Sequence, residues 1–184
     1  MKSITLLFLY LLTVSTFALT VEGLDIPATH TIEKTKLSLN GVGIRKATWF
    51  KVKVYVGSLY ISKKTSNVEE ILGSPYPKFL KMDFVRNVDK EKLTKGWSDG
   101  FAAALSPKDL KNFNKEIMTF NSFMRDIKKG QHIRIQFLKS GVNISFNNSS
   151  YVLINNPNFA RALLSIWFIK PRDEGLAKGL KGLS

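Results

Sequence analysis

The chain has 184 residues, 44% hydrophobic and 23% charged, with 13 Phe, 5 Tyr, 3 Trp and no cysteine. This apolar and aromatic content excludes a disordered chain and suffices for the core of one domain, while the lack of thiols excludes a disulfide framework. The formal net charge of +14 admits an anionic membrane surface, an acidic ligand or nucleic acid as partner.

In chain order, the first segment is "MKSITLLFLYLLTVSTFALTVEG". One Lys precedes an apolar run from Ile4 to about Leu19, and small residues follow, the pattern of an export signal. The expectation is a signal peptide over residues 1–23, cleaved after Ala18 or Gly23, and one domain over 24–184. The rival reading, an uncleaved anchor, needs roughly 20 apolar residues; this run is shorter and carries Thr13, Ser15 and Thr16. The mature protein is therefore expected to be periplasmic or secreted.

Next comes "THTIEKTKLSLNGVGIRKATWFKVKVYVGSLYIS", rich in β-branched and aromatic residues. It reads as two strands with a turn near Lys46-Ala47-Thr48. Alternation puts Phe50, Val52, Val54 and Val56 on one face, and Lys51, Lys53 and Tyr55 on the other. A short helix capped by Asn67 follows at "NVEEILG", then a strand at "YPKFLKMDFVR" with Pro77 at its start.

In "VDKEKLTKGWSDGFAAALS" the residues Leu93, Trp97, Phe101 and Leu105 recur every four positions, which predicts an amphipathic helix. Gly96 and Gly100 weaken it by about 1 kcal/mol each and leave a groove of small residues. A second helix is predicted from Ser106 as N-cap and Pro107 at N1, with Leu110, Phe113, Ile117, Phe120 or Asn121, and Met124 inward. Strands return at "HIRIQFL", "VNISFN" and "SYVLI". The stretch "NNPNFARALLSIWFI" reads as a helix capped by Asn156, with Phe159, Leu163, Ile166 and Trp167 toward the core. The tail "KPRDEGLAKGLKGLS" reads as at most a short helix that then frays. Strands, helices, strands and a helix make an α+β domain with an antiparallel sheet.

The chain carries no Gly-x-Ser-x-Gly elbow and no Walker loop. Glu69–Glu70 and Asp173–Glu174 are adjacent pairs that diverge on a helix, so neither reads as a catalytic dyad. His30 and His132 stand far apart without a thiol, so no metal site and no cofactor are expected. The sequons at Asn143, Asn147 and Asn148 matter only in a eukaryotic secretory pathway. The basic run "RDIKKGQHIRIQFLK" lacks the aromatic-glycine signature of an RNA-binding sheet, and nucleic acid is not the expected partner. What remains is Arg45. It reads either as a surface arginine beside a turn or as a cation at the mouth of an apolar pocket, able to take a carboxylate or phenolate bidentately.

"LNGVGIRK…FKVKVYVGSLYI" resembles the opening of the chalcone isomerase family, where a Gly-x-Gly-x-Arg step leads to a strand ending in a Gly-x-x-Tyr-Leu-like sequence. Gly57, Tyr60 and Ile61 match that ending. The resemblance runs through "KLTKGWSDGF", "NPNFARALLSIWF" and the tail "PRDEGLAKGLKG", covering residues 28–182. It implies an open-faced β-sandwich: a large antiparallel sheet backed by a layer of helices, with a ligand cleft between them. It places Arg45 at the family arginine, which contacts the phenolate in true isomerases and holds the carboxylate in plastid fatty-acid-binding relatives. Tyr55 falls at the isomerases' strand threonine, Leu93 and Gly100 at their helical Tyr and Asn, and Ala160 and Arg161 near a late Thr or Ser.

Only the arginine is retained. Cyclisation of a chalcone needs the phenolate held and the carbonyl polarised, so the resemblance implies binding without catalysis. The expected function is an exported protein holding a fatty acid or similar amphipathic anion, with Arg45, Tyr55, Trp97 and Phe101 as ligand-binding residues. Two other readings are an isomerase acting on a chalcone-like or enone substrate, and an envelope interaction protein with no small ligand. In the last, the basic surface contacts anionic membrane.

Overall fold

The computed structural model describes residues 18–47, 50–147 and 150–183. The signal-like residues 1–17, part of the turn after Ala47, and Asn148 lie outside the described residues. Seven strands form one antiparallel sheet in chain order. They are β3 (Thr29–Ile32), β4 (Thr35–Ala47), β5 (Val52–Ile61), β6 (Lys78–Phe84), β7 (His132–Leu138), β8 (Gly141–Phe146) and β9 (Ser150–Ile154). A separate hairpin pairs β1 (Ala18–Val21) with β2 (Leu24–Pro27). The helices are α1 (Val68–Gly73), α2 (Lys90–Ala104), α3 (Pro107–Asn112), α4 (Asn114–Ser122), α5 (Pro157–Ser165) and α6 (Glu174–Leu180). The α+β class and the large antiparallel sheet backed by helices are as expected.

Strand alternation divides the core in two. Leu80, Met82, Ile133, Ile135, Val142 and Ile144 point to the helices, where Trp97, Phe120, Phe159 and Leu163 meet them. Val56, Tyr60 and Phe79 point the other way, under Ile26 of β2 and Val21 and Leu24 beside it. The Tyr60 hydroxyl donates to the Pro27 carbonyl at 3.0 Å and fastens that hairpin to the sheet. The three expected caps are in place: Asn67, Ser106 and Asn156 each accept from a backbone N–H of their helix's first turn. Local side-chain chemistry suffices to start these helices.

Several expectations need correction. The second predicted helix is two: Phe113, at φ −97° and ψ 12°, leaves the helical region and separates α3 from α4, with the apolar stripe still on the core in both. The late helix ends at Ser165, and Ile166 and Trp167 reach the core from the turn beyond it. Phe50 is not in a strand at all; it sits in the turn and is 84% exposed. The expected alternation fails at a bulge, because Arg45 pairs with Tyr55 but Lys46 pairs with Lys53, leaving Val54 as the extra residue. Val54 and Tyr55 consequently pack on the helix side, and Val56 on the other.

The tail does not fray. Along β4, period two puts Gly41, Gly43 and Arg45 on the helix side, opposite Leu59, Gly57 and Tyr55 of β5. Lacking side chains, the two β4 glycines let the backbone of α6 lie directly on the strand. A Cβ on Gly41 would stand 2.1 Å from the Gly179 carbonyl oxygen, and one on Gly43 would stand 2.4 Å from that of Leu176. Asn40, bulged out beside Gly41, donates to the Leu180 carbonyl at 2.8 Å and clamps the far end of α6. Leu176, Ala177 and Leu180 are buried as a result.

This close approach is testable. Gly43→Ala should lower unfolding stability by about 1–3 kcal/mol, since backbone and not a flexible side chain stands in the way. A Cβ on Gly57 would meet side chains alone, the nearest being Leu176 Cδ1 at 3.3 Å, so Gly57→Ala should cost clearly less. Urea denaturation of the two variants, read at the midpoint, makes the comparison.

Candidate functional site: a cation-rimmed apolar cavity

A cavity of about 400 Å³ opens between the helix side of β4–β6, the helix α2 and the segment 166–176. That volume lies in the range of small-molecule sites, roughly 300–1,000 Å³. The sheet contributes Tyr55, Met82 and Phe84; α2 contributes Leu93, Gly96, Trp97 and Gly100; the return from α5 contributes Ile166 and Trp167. The two α2 glycines create room here, since a Cβ on Gly96 would meet nothing within 4 Å.

Polar groups enter this apolar space at few points. The Trp167 indole N–H donates to the Tyr55 hydroxyl at 3.1 Å, which leaves the phenolic hydrogen for another acceptor. Burial pushes the Tyr55 phenol up to about 12, against the opposing pull of the Trp167 hydrogen bond and Arg45, with Asp173 reinforcing the rise. Tyr55 is therefore a neutral donor at physiological pH. Trp97, only 5% exposed, has a buried indole N–H without a partner among the described residues.

The rim is charged. Arg45, Arg86, Lys92 and Arg172 line it with one carboxylate, Asp173. Asp173 is the N-cap of α6: its Oδ1 accepts from the Leu176 N–H at 3.0 Å. Its Oδ2 accepts from the Lys46 N–H at 2.6 Å and from Arg45 Nη1 at 3.3 Å. Arg45 Nη1 also donates to the Lys46 carbonyl. Nε and Nη2 of Arg45 have no partner among the described residues. Arg172 pairs with Asp99 on α2, whose carboxyl is held below its usual range by hydrogen bonds from Lys95 and Arg172. Lys92 pairs with Asp89 at 2.6 Å. Arg86 has no ion-pair partner among the described residues.

Of the four expected ligand-binding residues, Arg45, Tyr55 and Trp97 come together around this cavity. The strand pairing settles a question that alternation left open: Arg45 and Tyr55 are directly opposite and share a face. Phe101 is elsewhere. It is 1% exposed, packs against Phe120 and Phe159, and belongs to the core below the cavity. Leu93 and Gly100 do line the cavity, whereas Ala160 is fully buried outside it and Arg161 pairs with Glu69. Sequence reasoning missed Asp173, Trp167, Arg86 and Arg172. For Asp173 a signal existed, as an Asp three residues before Leu176 of a short helix reads as a cap. Among the described residues no group of three His, Cys, Asp or Glu could hold a metal, and no helix is long and apolar enough to cross a membrane.

An antiparallel sheet backed by helices, with an arginine-edged apolar cavity between the layers, defines a class of fold that known proteins share. The sequence model described as chalcone isomerase-like matches residues 18–182. The chain belongs to the chalcone isomerase-like family. Among solved structures it is similar to a fatty-acid binding protein of Arabidopsis thaliana, with a TM-score of 0.71 and 12% identity over 91% of this chain and 97% of that one. No curated protein sequence matches this chain.

The Tyr55 environment has a measurable signature. Its phenol titrates near 10 when unfolded and about 12 when folded, so the folded state binds the proton more tightly between those values. Stability should therefore fall as pH rises from 10 to 12, by a few kcal/mol (about 3 at most) from this group. Tyr55→Phe should remove that share of the slope. Chemical denaturation at several alkaline pH values, wild type against variant, reads it directly.

Proposed function

We propose that the protein binds a fatty acid or similar amphipathic anion without transforming it, the acyl chain in the cavity and the head group at Arg45 and Tyr55. The observation that carries this reading is the cross-strand pair itself: a guanidinium with unused donors directly opposite a buried, neutral phenol, at the edge of an apolar cavity. A carboxylate placed there would accept from both, and charge-assisted bonds of this kind are the strong ones. The shared fold with a fatty-acid binding protein supports the reading. Against isomerisation stands the α2 wall, which offers Leu93 and Gly100 at the positions that the family resemblance assigns to a catalytic Tyr and Asn. Neither can polarise a carbonyl.

The proposal includes export, with the leader removed after Ala18. Cleavage there keeps nearly all of the β1–β2 hairpin, whereas cleavage after Gly23 would discard β1.

Native mass spectrometry of the purified protein, followed by organic extraction, tests the binding reading. The wild type should carry an acyl-chain adduct or take up added palmitate. Arg45→Ala should weaken palmitate binding by roughly tenfold or more, since hydrogen bonds to charged groups contribute about 1.5–3 kcal/mol. The variant should still fold, because Asp173 keeps its bonds from the Lys46 and Leu176 N–H groups. An empty wild type that takes up no palmitate, or a variant of unchanged affinity, would overturn the reading. Incubation with a chalcone should show only the uncatalysed rate.

A further inference from the structure

Arg86 belongs to two concavities. It lines the apolar cavity and also a shallower depression formed with Glu22, Val52, Lys53, Val85 and Lys129. In that depression Glu22 is engaged, since both its carboxylate oxygens accept from Lys53 Nζ, at 2.7 and 2.9 Å. Arg86 and Lys129 are exposed, and neither has an ion-pair partner among the described residues. Lys129 is held in place through its backbone, whose N–H donates to Asn87 Oδ1 at 2.9 Å, and Asn87 itself lines the cavity. The one acid of the depression is thus spent on one of its lysines, which leaves Lys129 and Arg86, the residue shared with the cavity rim, as its uncompensated cations.

Resting on the amphiphile-binding reading, we propose that the depression is a second anionic subsite. The preferred ligand is then an amphiphile whose head group reaches Arg86 and ends in a phosphate monoester, such as a lysophosphatidate, whose neutral ester carbonyl takes the hydrogen bonds of Arg45 and Tyr55 while its phosphate carries the charge. A simple fatty acid places its single charge at Arg45 and Tyr55 and leaves Arg86 and Lys129 unanswered. A phosphate carries up to two charges and several acceptor oxygens, which suits a pair of cations whose one neighbouring carboxylate, Glu22, is engaged by Lys53. Arg86, shared by both concavities, bridges the two subsites.

Calorimetric titration of the intact, delipidated protein with palmitate and with 1-palmitoyl-lysophosphatidate, both below their micellar concentrations, tests this. The wild type should bind the lysophosphatidate about tenfold more tightly than palmitate. Lys129→Gln should weaken the lysophosphatidate by about fivefold, the size expected of an exposed pair, and leave palmitate unchanged. Equal affinity for the two lipids, or a preference that Lys129→Gln does not touch, overturns the second subsite while palmitate binding stands. Failure of both lipids to bind the wild type removes the amphiphile reading as well. Inorganic phosphate binding as tightly as the lysophosphatidate would make this a site for free phosphate and overturn the lipid assignment.

Discussion

The carboxylate of Asp173 joins the parts of this molecule that matter to the cavity. One oxygen starts α6, and the other holds the Lys46 backbone and the Arg45 guanidinium. An acidic cap is favoured at that end of a helix, where unpaired N–H groups gather. The cap thus fixes the position of α6 relative to β4 and the direction of the arginine in one stroke. The glycine bay under α6 has the same origin in β4: residues 41, 43 and 45 share a face, so the strand that seats the helix also delivers the cation just beyond the helix's first turn. The Gly-x-Gly-x-Arg spacing is a physical unit of two seats and one charge.

The pairing with Asp173 also explains how an arginine side chain only 21% exposed is tolerated beside an apolar cavity. A partly desolvated guanidinium is costly without a counter-charge. Asp173 supplies that counter-charge through Nη1 and leaves Nε and Nη2 unengaged among the described residues. Because the rotamer is already fixed, less side-chain entropy is lost when an anion arrives. Tyr55 is held in the same way, by the Trp167 indole. A phenol pushed up to about 12 donates a hydrogen bond at neutral pH and is a poor proton acceptor, which suits recognition better than acid–base chemistry.

Local chemistry was readable in the sequence and long-range contact was not. Asn67, Ser106 and Asn156 announce their helices because a cap acts within three residues. Arg45 stood out once other chemistry was excluded, yet its counter-charge lies 128 positions away, beyond the reach of any local pattern. The bulge at Val54 has no sequence signature here, and it shifts Tyr55 relative to Val56 in a way that strict period two cannot express. The tail illustrates the same limit. A seven-residue helix is unstable alone, so fraying was the sound local expectation. Docking on Gly41 and Gly43 reverses it. Lys78 is the opposite case: a strand-start lysine reads as solvent-facing, but it is fully buried. Its Nζ donates to the Leu72 carbonyl at 3.0 Å and lies 4.3 Å from the centre of the Tyr76 ring, while burial lowers its pKa to about 8.

The charge imbalance of the whole chain acquires meaning at the rim. With 28 basic side chains against 14 acidic ones, at least half of the cations have no carboxylate of their own, so the placement of the acids is informative. Two of them, Asp99 and Asp173, hold arginines that flank the cavity, and both act on the segment between α5 and α6. Asp99 draws Arg172 toward α2, and Asp173 draws the start of α6 toward β4. Both ion pairs therefore close the same wall. An anion entering at the rim meets guanidiniums already positioned by these carboxylates, in a field that the surrounding uncompensated cations keep positive. The acids give the site its shape, and the excess of bases gives it its sign.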